Sequence, residues 1–377
     1  MPIASNRVRK AVRFLMRLSE AFDRLCLPEE FAVDSNQDFI HRPYRSYLFP
    51  GGDTPSASYT QRLDEARPGL AFCGSRTLRD AVVGILYTDA NALWKARLVG
   101  VSFRKTLTVA HQTLFLHPQE LRRLRREFTS AFPNRSAPPL ADYCFGAFSD
   151  RFMMEFLGVE SLTVLDVSDY ESAGLIHDLN EPVPPELHER FDAVIEAGSL
   201  EHIFNFPIAV GNLMRMLKVG GFMYITVPAN NLCGHGFYQF SPELMFRIFS
   251  RGNGFELERV SLAEARFPGT ELAPARGVYE VADPACIGRR VGLLSSRPAM
   301  LMVHARKISS ADLFQPAPQQ SDYIAAWARK GAGPASYPTA ARRLWRMLPI
   351  SVRNRLIGYR DMRACLLSNA KNYRRLL

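Results

Sequence analysis

The side chains best suited to chemistry fall at the ends of apolar runs between Asp166 and Gln239. Asp166 closes the run LTVLD. An acidic residue at such a strand end can accept from both hydroxyls of a ribose, because two carboxylate oxygens match a vicinal diol. The competing reading is a helix N-cap or loop aspartate, since Ser168 and Asp169 follow. Asp178 lies in HDLNEPVP, where an aspartate ahead of Pro182 also suits an ordinary turn. Glu196, Glu201 and His202 come from FDAVIEAGSLEH. Asn230, Asn231, His235, Tyr238 and Gln239 gather polar groups just past FMYITVP. Gly234 and Gly236 there let the backbone bend around a ligand. Histidine moves protons near neutral pH, so His202 and His235 are candidate bases. His202 within LEH more often looks structural, and His235, the better candidate, has as its alternative pinning the loop to the body.

These residues need elements that bring strand ends together, and the pattern from residue 150 onward supplies them. Arg151 to Leu157 reads as a helix ended by Gly158, and Leu162 to Val167 as a buried strand. Gly174 to Leu179 is a short strand running into a turn at Asn180. Phe191 to Ala197 is a buried strand. A helix then places Phe206, Val210, Leu213, Met214 and Leu217 on one face, with Lys218 to Gly221 as its C-cap and turn. A second buried strand, Phe222 to Pro228, follows. Ser241-Pro242-Glu243 starts another helix with Ser as N-cap and Pro at the first position, and Gly254-Phe255 enters a third strand. The order suits an open parallel sheet with its ligand at the carboxyl ends of the strands. Residues 262–298 read as a loop-rich insertion, and Ala299 to Ala305 as a final strand.

Upstream, residues 4–26 form a basic amphipathic pattern through Val8, Val12, Phe14, Leu15, Leu18 and Phe22. Residues 42–70 are loop-like. A helix is expected over 76–97 with Leu78, Val82, Ile85 and Leu86 on one face. Lys105 to His111 is β-rich, a helix through LHPQELRRLRREF follows, and 132–140 is a Pro-rich break. The chain divides into an N-terminal extension (1–100), a central domain (101–310), a linker (311–340) and a basic tail (341–377).

Among 377 residues the net charge is +10. Residues 1–19 contribute +5 and residues 341–377 contribute +9, which leaves the body at −4. Basicity thus belongs to the termini, and no basic groove for nucleic acid is expected in the body. The tail mixes Leu344, Trp345, Leu348, Ile350, Val352, Leu356 and Ile357 with arginines, which suits an anionic membrane surface, RNA contact or packing on the body. Six cysteines without a CxxC pair argue against a zinc site and a disulfide framework. With no spanning run and no signal-like apolar block, a metal-free cytoplasmic protein is expected, peripheral to the inner face of the membrane if the tail docks there.

The stretch from Phe191 to Glu258 resembles the back half of a class I S-adenosylmethionine (SAM) dependent methyltransferase. It is similar to bacterial methyltransferase-domain proteins carrying HDLNEP, LEHIFN and GHGFYQFSPE blocks. The resemblance covers about residues 105–308. It implies a Rossmann-like seven-stranded sheet, order 3-2-1-4-5-7-6 with the last strand antiparallel, and SAM as cofactor. It further implies that Asp166, Asp178 and Leu179 hold the nucleoside, Asp178 taking the adenine amino group. Glu196 and Ala197 border the methyl donor. Asn230, Asn231, His235 and Tyr238 face the acceptor, with His235 as candidate base. The family's D-x-G-x-G turn after strand one is missing. Two segments could replace it: Thr106 to His111, offering Ala110-His111, or Asp142 to Gly146, offering Gly146. The function expected is methyl transfer to oxygen of a small-molecule or glycan acceptor, against a catalytically degenerate scaffold on the same fold.

Overall fold

The computed structural model describes residues 84–265, 277–288, 290–328, 347 and 349–376. All of these belong to one compact unit, Gly51–Leu377. The stretches 4–26 and 42–70, together with Leu78, Val82 and residues 329–340, lie outside the described residues.

The protein is a mixed α/β structure built on one large sheet. Its first described elements are β1 (Gly84–Leu86) and α1 (Tyr87–Leu98). Within the described part of the helix expected over 76–97, Ile85 and Leu86 belong to a strand and helix begins at Tyr87. The boundary has a local cause: the Asp89 carboxylate accepts from the Leu86 N–H at 2.8 Å, which satisfies a donor that the helix start would orphan. β1 pairs in parallel with β3 (Thr113–Phe115), a strand the sequence pattern did not suggest. Helix α2 (Pro118–Ala131) follows it.

The main sheet contains β2 (Lys105–Val109), β4 (Ser161–Asp166), β5 (Leu175–Ile176), β6 (Phe191–Ala197) and β7 (Leu217–Asn230). To these it adds β8 (Phe255–Glu264), β9 (Gly277–Val281), β10 (Ala299–Lys307) and β11 (Tyr373–Arg375). Their spatial order is β5-β4-β2-β6-β7-β10-β8-β9-β11. Nine strands thus replace the seven expected. β9 comes from the stretch read as a loop-rich insertion, and β11 from the basic tail. Tyr373 anchors β11: it is buried, and its hydroxyl donates to the Gly292 carbonyl at 2.6 Å. The run β5-β4-β2-β6-β7 is parallel. β10 is antiparallel to both β7 and β8.

β2 settles which segment is the first central strand. It lies between β4 and β6, whereas Asp142 to Gly146 is no strand and Gly146 donates its N–H to Leu114 at 2.9 Å, beside β3. From β2 the chain adds strands first on one side and then on the other, which creates a switch point where strand ends diverge.

Successive residues of a strand face opposite sides of a sheet. Val194 accordingly joins a core with Leu107, Leu165 and Met223, while Ala193, Ile195 and Ala197 join a second with Phe222 and Tyr224. Both faces are covered, which explains why these strands read as nearly unbroken apolar runs. Helix α3 starts at Asp150–Phe152, continues as a π-turn over Met153–Leu157 and ends at Gly158 with φ 72°. Helix α4 (Phe206–Met216) buries Val210, Leu213 and Met214, each worth about 1.5–3 kcal/mol. Its C-cap is Leu217, whose N–H donates to the Leu213 carbonyl, whereas the following Lys218 to Gly221, expected as C-cap and turn, already belong to β7. A register shift between Phe191 and Ala193 bulges those residues out, with Gly220 at φ 83°.

Helices α5 (Pro242–Ile248), α6 (Pro284–Ile287), α7 (Ser321–Ala328) and α8 (Ile350–Ala364) complete the described elements. Ser241 caps α5, its hydroxyl accepting from Leu244 N–H at 3.4 Å. α8 exposes Ile350, Leu356, Tyr359 and Met362. No described helix is long and apolar enough to cross a membrane.

Candidate active site

The candidate residues gather around the carboxyl ends of β4, β2, β6 and β7. At the end of β4, Asp166 is half-buried and its Oδ1 accepts from the Val167 N–H at 2.6 Å. Val167, Tyr170 and Ile176 stand exposed in the segments that follow β4 and form β5. Asp178 is exposed, and its Oδ1 accepts from the Asn180 backbone at 2.9 Å and the Asn180 amide at 2.8 Å. Those bonds, the backbone one first, hold its carboxyl below the usual range. Leu179 is buried behind it.

The HDLNEPVP loop is positioned from α4. Asn212 is fully buried; its amide donates to Leu179 at 3.3 Å and Glu181 at 2.7 Å, and its carbonyl accepts from Val183 at 3.0 Å. Asn180 in turn accepts from the Asn205 N–H at 2.8 Å. Neither Asn212 nor Asn180 was a sequence candidate. The available signal was an asparagine within the apolar face Val210, Leu213, Met214, where only a satisfied amide is tolerated.

At the end of β2 the chain turns through Ala110, whose φ of 56° is a left-handed conformation normally left to glycine. Its N–H donates to Leu165 at 2.7 Å, which places this turn beside the end of β4. His111 does not face outward. It is buried, stacked on Phe148, bonded through Nε2 to Asp150 at 2.8 Å and through Nδ1 to the Glu171 carbonyl at 2.7 Å. Burial opposes its protonation, but Asp150 and the Glu171 carbonyl prevail and raise its pKa. Gly146, paired with β3, does not join this turn.

At the end of β6, Ala197 is buried and Gly198 turns the chain at φ 98°. Glu196 is wholly buried, and its Oε1 accepts from the N–H of Ser199 and, at 3.0 Å, of Leu200. It therefore shapes the next turn from inside. Burial, reinforced by the charge of Glu201, holds its carboxyl well above the usual range.

Glu201, weighed from sequence only as a residue at a helix start, is the centre of the acceptor side. It too is wholly buried, and neither of its carboxylate oxygens accepts a hydrogen bond among the described residues. Facing its Oε1 are His235 Nε2 at 3.4 Å and His202 Nε2 at 4.0 Å. Burial pulls the His202 pKa down. The Glu201 carbonyl accepts from the backbone of Phe237 at 2.7 Å and Tyr238 at 3.3 Å, which ties the loop after β7 to the turn after β6. Gly236 is required here, because a Cβ at that position would lie 2.8 Å from the Glu201 carbonyl oxygen. The Tyr238 hydroxyl donates to the Phe204 carbonyl at 2.7 Å. Asn231 donates to the Ser295 and Arg297 carbonyls at 2.7 and 2.8 Å, while Asn230 ends β7 opposite Ala299. Tyr238 and Asn231 thus hold the loop in place, and His235 is the member of the loop that meets an acid.

A second buried polar cluster, absent from the sequence candidates, joins α1 to β7. Asp89 accepts from the Tyr224 hydroxyl at 2.7 Å and the Thr226 hydroxyl at 2.8 Å, and burial raises its pKa.

No protein-family model matches the chain, and no curated protein matches it. Among solved structures it is similar to a SAM-dependent methyltransferase from Thermotoga maritima, at 14% identity, TM-score 0.29, over 58% of this chain and 89% of that one. It is also similar to a Burkholderia thailandensis 1,6-didemethyltoxoflavin-N1-methyltransferase holding S-adenosylhomocysteine, at 14% identity and TM-score 0.30, over 74% of this chain and 94% of that one. A branched-chain polyamine synthase from Thermus thermophilus matches at 15% identity and TM-score 0.29, over 68% of this chain. The chain spans 64% of the length of that synthase. Likeness this slight assigns no activity.

Proposed function

We propose that the protein transfers a methyl group from SAM to an oxygen of a small-molecule or glycan acceptor. The observation that carries this reading is the left-handed turn at Ala110, set beside Asp166 at the sheet's switch point. The missing glycine sequence is replaced by a residue that adopts the glycine conformation, at a cost of roughly 1–2 kcal/mol. Such strain persists where the surrounding structure imposes it, and it clusters at functional sites.

The residues present fit the cofactor. Asp166 offers a carboxylate for a ribose diol, with Oδ2 carrying no hydrogen bond among the described residues. Val167 and Ile176 offer exposed apolar surface for a purine, and Asp178 an exposed acceptor for an amino group. When bound, SAM supplies an activated methyl group on sulfur. The chain's own part is to align the acceptor and to take its proton. Glu196 fixes the turn after β6, Gly236 lets the loop after β7 close on it, and His235 receives the proton with Glu201 behind it to hold the imidazolium. Proton removal by a positioned base contributes typically about 10²–10⁴-fold.

The body between the basic termini favours a neutral or cationic acceptor over nucleic acid. Exposed apolar residues of α8 among arginines support docking of the tail on an anionic membrane surface.

Isothermal titration of the full chain with SAM tests the cofactor assignment. Binding is expected in the micromolar range, weakened by roughly tenfold or more in Asp166→Ala. No heat of binding from folded protein, or binding unchanged in Asp166→Ala, rejects it.

A further inference from the structure

The acceptor side contains an arrangement that a proton-transfer role does not account for. Glu201 is 0% exposed, yet neither of its carboxylate oxygens makes a hydrogen bond among the described residues. A carboxylate taken out of water without a partner is costly, and buried charges are ordinarily paired or bound to a metal. What faces it is a pair of imidazoles, His202 and His235, whose rings meet edge to face at 5.2 Å. One donor atom from each of the three residues lies within 4.8 Å of the others. The Oε1–Nε2 separations are 3.4 Å to His235 and 4.0 Å to His202. Oxygen and nitrogen ligands about 2.1 Å from a tetrahedral ion stand about 3.4 Å apart. Glu201 and His235 therefore stand at coordination spacing already, and His202 lies close to it.

The frame that holds them is also built in advance. Glu201 and His202 belong to the short turn Leu200–His202, fixed from beneath by Glu196. His235 is brought over by the backbone bonds from Phe237 and Tyr238 to the Glu201 carbonyl, with Gly236 permitting the close approach. Glu201 closes the buried side, whereas His202 and His235 keep 38% and 29% of their side chains exposed. Two imidazoles and one carboxylate suit borderline first-row ions rather than calcium or magnesium, which take oxygen ligands. Three protein ligands with an open outer face is the ligand count of a catalytic zinc site.

We propose that Glu201, His202 and His235 bind one divalent first-row transition-metal ion, zinc in class, with its fourth position open on the outer side. This assignment reverses the expectation of a metal-free protein. The binding stands on the geometry alone; only its consequence for chemistry rests on the methyl-transfer reading. With the ion in place, His235 would hold it through Nε2, so the base role proposed for His235 would belong to the metal-free chain alone. The ion would supply Lewis acidity at its open position, where an acceptor hydroxyl could give up its proton to water and keep the electron pair as nucleophile.

The test uses the full-length chain, stripped with a chelator and titrated calorimetrically with zinc chloride, then with cobalt chloride while visible absorption is recorded. One ion per chain is expected, with the ligand-field bands of tetrahedral cobalt. Loss of even an outer-shell partner lowers metal affinity by about 10–100-fold, so His202→Ala and His235→Ala should each weaken binding by at least about tenfold. Both histidines are partly exposed, and unchanged circular dichroism will show that these variants fold even if Glu201→Gln does not. No stoichiometric binding by the folded wild type, or binding retained in both histidine variants, overturns the proposal. SAM titrations on the same samples separate the two readings. Zinc binding without SAM binding rejects methyl transfer and keeps the metal site, and SAM binding without zinc does the reverse.

Discussion

Asp166 and Asp178 keep their carboxylates at or near the surface, whereas Glu196 and Glu201 carry theirs wholly out of water. The first pair terminates its hydrogen bonds on its own immediate neighbours, Val167 and Asn180. These two acids cost little to fold and remain open to a ligand. In the second pair, Glu196 holds together the turn that presents Glu201, and Glu201 faces His235 and His202. One side of the strand ends is therefore an open, polar surface. The other is an internal polar cluster that already constrains the fold.

The largest effect that could break this contrast is on stability. Glu196→Ala leaves the buried Ser199 and Leu200 N–H groups without an acceptor and should destabilise the protein by roughly 3 kcal/mol in urea unfolding. Glu196→Gln keeps an acceptor oxygen and should stay within about 1 kcal/mol of wild type. Asp166→Ala should change stability by no more than about 0.5 kcal/mol, as expected of a surface substitution. If Glu196→Ala is no worse than Asp166→Ala, the two sides do not differ as described.

A smaller effect sharpens the contrast through pH. Burial, with Glu201 nearby, raises the folded-state pKa of Glu196 above its reference of 4.5. A raised pKa means that the folded state holds the proton more tightly. The group's contribution is then fully present below 4.5 and is lost as pH rises through the raised value. Glutamine carries no such proton, so denaturation of Glu196→Gln and wild type side by side should show the variant gaining on wild type from pH 4.5 upward. A constant difference would place Glu196 in a solvated setting.

The smallest effect has the opposite sign. The Asn180 backbone N–H, followed by its side-chain amide, lowers the pKa of Asp178 below its reference of 3.8. Its contribution is present above that value and disappears as pH falls through the lowered one. Wild type should therefore lead Asp178→Asn slightly near neutral pH and lose the lead in acid, as followed by thermal unfolding between those conditions. Exposure keeps this lead small, and a lead that grows in acid would contradict the assigned hydrogen bonds.

Much of the sheet was legible because β6, β10 and the Phe222 to Pro228 part of β7 are apolar runs buried on both faces, while β4 is a short apolar run and β8 is marked by its Gly254-Phe255 entry. β3, β9 and β11 were not. TLF is three residues long, GVYEV sits among prolines and loops, and YRR is held by one buried tyrosine in a basic tail. Such short strands depend on the partner that offers them hydrogen bonds, and for β11 that partner, β9, is remote in sequence. Likewise, Lys218 to Gly221 looks like a helix end locally and becomes a bulge only because β6 fixes the register on either side.

The sequence by itself determined the α/β alternation, the core faces of α4 and the central strands, and the polar character of the loop after β7. Those properties follow from periodicity and local backbone preference, which each segment carries alone. The tertiary structure decided that β2 is the central strand, that Ala110 takes the glycine conformation at its end, and that Glu196 serves the interior. It alone brought His235 against Glu201 and His202. Such pairings depend on which strand ends lie side by side, and burial, which sets the chemistry of a carboxylate, belongs to the assembled fold rather than to any one segment.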